Sequence, residues 1–276
     1  MSVEYPYHAL EDFLVANMST VDAQAPDGWG SMYPVKGREI DATVLFADMT
    51  AFSTRTADLD PTETLAFVNH FFCWITAEAL RGRPGIVDKY IGDEVMIVFS
   101  REFGSDDPFA DAIQTARWMG QNDVYAFLPH VGLASGQVIV GYVGTPLKYS
   151  CSVFGAPVAL ASRCAGIKAE DSTPFSSSIT FPDAEWGKRD LDAVFTGVED
   201  RKRTRAEQGD HGWALLDPKT TSIKGLGDLD IRHIVRRAAW VPTQAPEDYA
   251  REIVQLIVKA GRRWDPQAST RVEADR

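Results

Sequence analysis

The turn Gly92-Asp93-Glu94 separates two short apolar runs, Ile86 to Ile91 and Val95 to Phe99, and it forces the chain back on itself. Two runs rich in β-branched residues joined by so short a Gly-Asp connection pair as a β-hairpin, because glycine supplies the positive φ that the reversal needs. The other signals fall into order around it. Thr43 to Ala47 is apolar and bounded by Asp41 and Asp48, which predicts a buried strand ending at Asp48. Asp60-Pro61-Thr62-Glu63 predicts a helix start, with aspartate as cap, proline first and glutamate third, running to about Leu80 through Leu65, Val68, Phe72 and Ile75. Asp107-Pro108 opens a second helix through Ile113, Ala116 and Met119, and His130 to Val143 alternates as a strand. Phe154-Gly155-Ala156-Pro157 introduces a short helix ending near Gly166, and Trp213 to Ile223, the turn at 225–228 and Leu229 to Val235 form a closing hairpin. This order describes an α/β (α+β) sandwich of the ferredoxin-like, palm type, with an antiparallel-rich sheet covered by helices.

The flanks are less regular. Residues 1–35 read as a packed arm, 36–240 as the main domain, and 241–276 as an amphipathic helix (Pro246 to Lys259) and tail. Residues 168–212 are polar and charged, with the basic run Arg201-Lys202-Arg203-Thr204-Arg205, and read as a surface insertion.

Composition excludes several classes. A net charge of −11 argues against nucleic acid or an anionic membrane as partner, since both demand a basic face. The three cysteines, at 73, 151 and 164, form no CxxC pair, and the histidines at 8, 70, 130, 211 and 233 show no metal spacing. No run of 18 apolar residues suggests a membrane span, so a cytoplasmic protein is expected.

The chemistry-bearing feature is a pair of aspartates. Asp48 and Asp93 each stand where an apolar strand meets a tight turn. Either one by itself is an ordinary turn or cap residue. Together, at neighbouring strand ends, they suit a pair of divalent ions about 3.5 to 4 Å apart, the arrangement of two-metal phosphoryl transfer. A nucleoside triphosphate is therefore the expected substrate.

Four blocks in order, FADMTAFS, DKYIGDEVMIVF, SVFGAPVALASR and IKGLGDLDIRHIV, resemble the class III nucleotidyl cyclases over roughly residues 36–240. The resemblance implies a 3′,5′-cyclic nucleotide product and two Mg²⁺ or Mn²⁺ ions held by Asp48, Asp93 and the Met49 carbonyl. It also implies triphosphate contacts from the backbone of Thr50, Ala51, Phe52 and Ser53, base reading by Lys89 and Ser152, and transition-state stabilisation by Arg163. In that family the sites are composite, which implies a homodimer. Three departures stand out: Ala159 replaces a ribose-orienting asparagine, Leu226 replaces a phosphate-binding lysine for which Lys224 and Arg232 lie close by, and Ser152 replaces a common adenine-reading residue. Lys89 only donates, whereas Ser152 donates or accepts, so guanine fits least and adenine, uracil and cytosine stay open. Within the family the chain most resembles the pyrimidine cyclases of Pycsar anti-phage systems. This implies UTP ahead of CTP and a separate effector protein activated by the cyclic nucleotide. An adenylate cyclase, a polymerase-type palm domain and a degenerate nucleotide-binding regulatory module are the alternatives.

Overall fold

A computed structural model describes residues 5–18, 36–121, 127–145, 148–169, 177–195, 212–236 and 250–255. Its central strand, β1 (Lys36–Asp48), is apolar on both faces, so each face has to be covered. On one side Leu45 and Ala47 join a core with Phe67, Phe71, Ile113 and Met119. On the other, Val44 and Phe46 pack with Phe13, Leu14, Ala161 and Ala165.

After β1 come α2 (Phe52–Arg55), α3 (Pro61–Cys73), a π-helical continuation at Trp74–Ala79, β2 (Gly85–Ile91) and β3 (Glu94–Ser100). Preceding them is α1 (Leu10–Ala16), and following are α4 (Pro108–Gln121), β4 (His130–Thr145), β5 (Lys148–Phe154) and α5 (Ala156–Ala165). The remaining elements are β6 (Ser178–Pro182), α6 (Asp183–Trp186), α7 (Leu191–Phe195), β7 (Trp213–Leu215), β8 (Lys219–Ile223) and β9 (Gly227–Arg236). Among the described residues nine strands form one sheet in the order β2-β3-β1-β4-β6-β9-β7, with β5 added to β4 and β8 to β9. All pairings are antiparallel except β4 with β6. The fold class expected from sequence is the one observed.

The cap at Asp60 forms as expected: its side chain accepts from the Glu63 amide at 2.8 Å, and the Glu63 carboxylate accepts from the Asp60 amide at 3.0 Å. Helix α5 spans the crossover from β4 to the parallel strand β6 and lies directly on β4. At Gly132 a Cβ would sit 2.0 Å from the Ala161 carbonyl oxygen and 2.2 Å from the Ala165 amide nitrogen. Only glycine permits that approach.

Three segments differ from the sequence expectation. The N-terminal arm contains α1, whose Leu10, Phe13 and Leu14, at helical spacing, are buried against the sheet. Residues 178–195 are not a surface insertion. Strand β6 is buried throughout, in the middle of the sheet, and Trp186 and Phe195 beyond it are core residues. The polar look of β6 misled because Ser178 and Thr180 satisfy their hydroxyls internally, on His130 Nδ1 at 2.8 Å and His233 Nδ1 at 2.9 Å. Strand β5 had no counterpart in the sequence reading. The basic run at 201–205 lies outside the described residues, as does most of the expected C-terminal helix, of which 250–255 are helical and pack Ala250, Ile253 and Val254 into the core.

Candidate active site

Pairing of β1 with β3 sets Asp48 opposite Glu94, and the reversal at Gly92, with φ of 64°, places Asp93 at the hairpin tip beside it. Burial first, then the charge and close approach of the Asp93 carboxyl, then Glu94, push the Asp48 carboxyl up to about 7, while the Met49 amide pulls the other way. Two neighbouring carboxylates are relieved by a shared proton or a cation. Among the described residues no cluster of three or more His, Cys, Asp or Glu side chains stands ready to hold a metal. The paired carboxylates are nonetheless the hard oxygen donors that Mg²⁺ or Mn²⁺ takes, and they fit such an ion.

The segment after Asp48 is held from below. Met49 is buried in the core, the Thr50 hydroxyl donates to the Leu128 carbonyl, and Ala51, with φ of 55°, turns the chain into α2. Ala51 and Ser53 are exposed, whereas Phe52 packs on the core. The first amides of α2 have no partner within the helix. Buried Arg55 anchors this turn by donating to the Phe127 carbonyl at 3.2 Å, its guanidinium 5.1 Å from the Phe67 ring centre. The sequence reading did not single out Arg55; an arginine in an otherwise apolar environment offers no local signal.

Arg163 is exposed on α5 and lines a cleft of about 540 Å³ together with Ala159, Ser162, Ser222 and Lys224. Two of the expected cationic residues thus face one space, with Ala159 beside them. Leu226 is exposed at the β8–β9 turn. Arg232 is placed differently: its Nε donates to Asp183 Oδ1 at 2.5 Å and its Nη1 to the Leu216 carbonyl at 3.0 Å, leaving the side chain 17% exposed. Its charge is satisfied by Asp183, not directed at that cleft.

Lys89 and Ser152, far apart in sequence, meet because β5 folds back toward β2. Lys89 Nζ donates to Ser152 Oγ at 2.5 Å, and Ser152 Oγ donates to Asp88 Oδ2 at 2.8 Å. Lys89 Nζ also lies 3.2 Å from Asp88 Oδ2. Asp88 is the extra residue of a β-bulge: Val87 pairs with Ile97 and Lys89 with Met96, so Asp88 faces no partner on β3. That irregularity turns two successive side chains to one side. Sequence reasoning passed over Asp88 because alternation alone assigns it the face opposite Lys89.

The three groups stand on separate elements, and among the described residues no hydrogen bond or ion pair joins Arg163 or Lys224 to Asp48 or Asp93.

No family model matches the sequence. The chain is similar to uncharacterized proteins of Mycobacterium tuberculosis (strain ATCC 25618 / H37Rv). Rv1319c is 29% identical over 149 residues, covering 52% of this chain and 28% of that protein. Rv1320c is 30% identical over 149 residues, covering 52% and 26%. The chain thus matches about a quarter of the length of these relatives. Among solved structures it is similar to the adenylyl cyclase CyaB from P. aeruginosa, with a TM-score of 0.55 and 16% identity over 75% of this chain and 99% of that one. It is also similar to the guanylyl cyclase Cya2, at 0.54 and 19% over 72% and 93%. A non-canonical dimeric guanylyl cyclase domain from the aquatic fungus Blastocladiella emersonii scores 0.51 at 16% identity over 73% and 99%. The fold is that of adenylyl and guanylyl cyclase domains.

Proposed function

We propose that this chain is a nucleotidyl cyclase, converting a nucleoside triphosphate to its 3′,5′-cyclic monophosphate and pyrophosphate. The observation that carries the reading is the pair Asp48 and Asp93, two carboxylates in contact at adjoining strand ends of a cyclase-type fold. Each has few alternatives for relieving its neighbour's charge, and a divalent cation relieves both. Two such ions supply charge neutralisation on the phosphates and a lowered pKa for the attacking hydroxyl.

The chain's own residues do the rest by position. Asp48, Asp93 and the Met49 carbonyl hold the cations, and the amides from Thr50 to Ser53 face the triphosphate, with Arg55 fixing their turn. Arg163 holds the non-bridging α-phosphate oxygens as charge spreads over them, and Lys224, across the same cleft, takes the leaving pyrophosphate. Following the resemblance, the carboxylates of one copy meet the arginine cleft of another, so the composite site assembles between two copies.

The resemblance to pyrimidine cyclases extends the proposal to a cytoplasmic second-messenger enzyme of anti-phage defence acting through a separate effector, with no contact to nucleic acid or membrane. No described helix is long and apolar enough to cross a membrane. The degenerate, merely nucleotide-binding reading draws on Ala159 in the Arg163 cleft. Retention of Asp48, Asp93, Lys89 and Arg163 speaks against it.

The test is to incubate the purified protein with Mn²⁺ and each of ATP, GTP, CTP and UTP and identify products by mass spectrometry. The expected result is a cyclic monophosphate from at least one, abolished in Asp93→Ala with the dimer and fold intact. Normal turnover by a folded Asp93→Ala protein removes the metal-carboxylate reading.

A further inference from the structure

The cleft beside Arg163 is built from two stripes of residues. Ala159, Ser162, Arg163 and Gly166 stand at i, i+3, i+4 and i+7, along one side of α5 and its end. Ser222 and Lys224 are two apart at the end of β8 and alternate with buried Ile223. Both stripes line one space of about 540 Å³, together with Ile167 and Ile223. Among the described residues neither Arg163 nor Lys224 makes an ion pair, and no carboxylate lines the cleft. Asp228, opposite Ser222 across the β8–β9 ladder, is exposed and does not line it. Two unpaired cations on one cleft of a chain with net charge −11 repel each other until an anion enters.

The two hydroxyls of the cleft are uncommitted as well. Helical Thr56, Thr76 and Thr115 each donate to the carbonyl four residues back. On β8 the neighbouring Thr220 and Thr221 donate to Asp230 and to the Lys219 carbonyl. Among the described residues Ser162 and Ser222 have no such acceptor. Resting on the reading of Arg163 and Lys224 as phosphate ligands, we infer that Ser162 and Ser222 are two further phosphate ligands, completing a cradle for the pyrophosphate portion of the substrate. Pyrophosphate presents acceptor oxygens on all sides, whereas guanidinium and ammonium only donate and each hydroxyl has a proton to give. Hydrogen bonds from a hydroxyl to an anionic oxygen are shorter and stronger than neutral ones, and no bond within the protein has to break to form them. Every donor of the cradle belongs to one chain and none is a metal, so pyrophosphate binds there without the divalent ions assigned to Asp48 and Asp93. The same phosphates are present in substrate and leaving group, so these contacts lower KM and leave kcat unchanged.

The experiment titrates inorganic pyrophosphate, in EDTA, into the wild type and into Ser162→Ala, Ser222→Ala and Ser222→Thr by calorimetry. It also measures kcat and KM of each for whichever triphosphate is cyclised with Mn²⁺. The wild type is expected to bind one pyrophosphate per chain without metal. Each alanine variant should bind it about tenfold more weakly, the worth of one hydrogen bond to a charged group, and KM should rise by a similar factor with kcat unchanged. Ser222→Thr keeps the hydroxyl on a strand that already accommodates Thr220 and Thr221, so its affinity should stay at the wild-type value. Failure of the wild type to bind pyrophosphate without metal overturns the inference while leaving the cyclase proposal standing, and needs no variant to fold. Alanine variants that bind as the wild type does also overturn it. So does a Ser222→Thr protein as weak as Ser222→Ala, because packing and not the hydroxyl would then be what was lost. The cyclase proposal fails separately: absence of cyclic product from all four triphosphates removes it, while metal-free pyrophosphate binding that depends on both hydroxyls upholds the cradle.

Discussion

Replacing Gly132 with alanine tests how tightly Arg163, the proposed transition-state arginine, depends on the sheet beneath it. The added Cβ would lie 2.0 Å from the Ala161 carbonyl oxygen and 2.2 Å from the Ala165 amide, where ordinary contact begins at 3.4 Å. Both obstacles are backbone, so no side chain can rotate aside, and β4 is held by β1 through pairs such as Phe46 with Gly132. The helix has to withdraw by about 1.4 Å. Overpacking of this kind destabilises by roughly 3 kcal/mol, at the upper end of the usual range, and at roughly 2–4 °C per kcal/mol the melting temperature should fall by about 6–12 °C. Arg163 lies two residues from Ala161 on the same helix. A displacement of about 1 Å at a reacting group typically lowers the rate roughly a hundredfold, so kcat should drop on that order with little change in KM. Mn²⁺ binding should persist, because Asp48 and Asp93 stand on β1 and the β2–β3 turn and not on the displaced helix. Thermal melts, cyclisation kinetics and Mn²⁺ titration measure the three quantities. A Gly132→Ala protein melting within 2 °C of wild type with full kcat would refute the reasoning, because the helix would then have room that the structure denies it.

Further expectations concern protons and symmetry. Metal binding should release about three-quarters of a proton per chain at pH 6.5, because the Asp48 carboxyl, pushed up to about 7 by burial and Asp93, is largely protonated there without metal and must ionise to bind it; calorimetry in buffers of different ionisation enthalpy reads this directly, and zero release would contradict it. His130, driven down to about 4 from 6.5 by burial, then Lys168 and His233, stays neutral in the fold while the unfolded chain takes up a proton. The associated stability is therefore present above pH 6.5 and lost as pH falls toward 4, about 3 kcal/mol in all; His130→Asn should flatten the acid limb of a urea-stability profile, and an unchanged slope counts against it. Asp48→Ala and Arg163→Ala homodimers should each be inactive, whereas mixing them should restore about a quarter of wild-type activity by random pairing. No recovery after verified subunit exchange would place each site within a single chain.

The sheet's frame was legible because its signals are local. The Gly-Asp reversal, the apolar run before Asp48 and the Asp60 capping box each act over a few residues, and all three form where expected. Strand β6 was not legible: its serine and threonine look solvent-facing until His130 and His233 arrive from β4 and β9 to satisfy them. The same division runs through the candidate site. Asp48 with Asp93, Lys89 with Ser152, and Arg163 with Lys224 come together as pairs. Arg232 is claimed by Asp183, from a helix that the sequence reading had placed in an insertion. Asp88 escaped notice because periodicity assumes one residue per step, and a bulge breaks that count.

That broken count has a consequence for how the hairpin tolerates change in length. Pairing above the irregularity, Gly85 with Phe99 through Val87 with Ile97, is in one register, and pairing below it, Lys89 with Met96 through Ile91 with Glu94, is in a register offset by a single residue. Asp88 is therefore the one position in β2 that can be deleted without moving any other residue to the opposite face. Deletion at any other position in β2 would transpose part of the strand and carry buried Ile86, or Lys89 itself, to the wrong side. Shortening and substitution at Asp88 become separate operations: one removes a carboxylate and keeps the local bend, while the other removes both and leaves two flat strands in unbroken alignment.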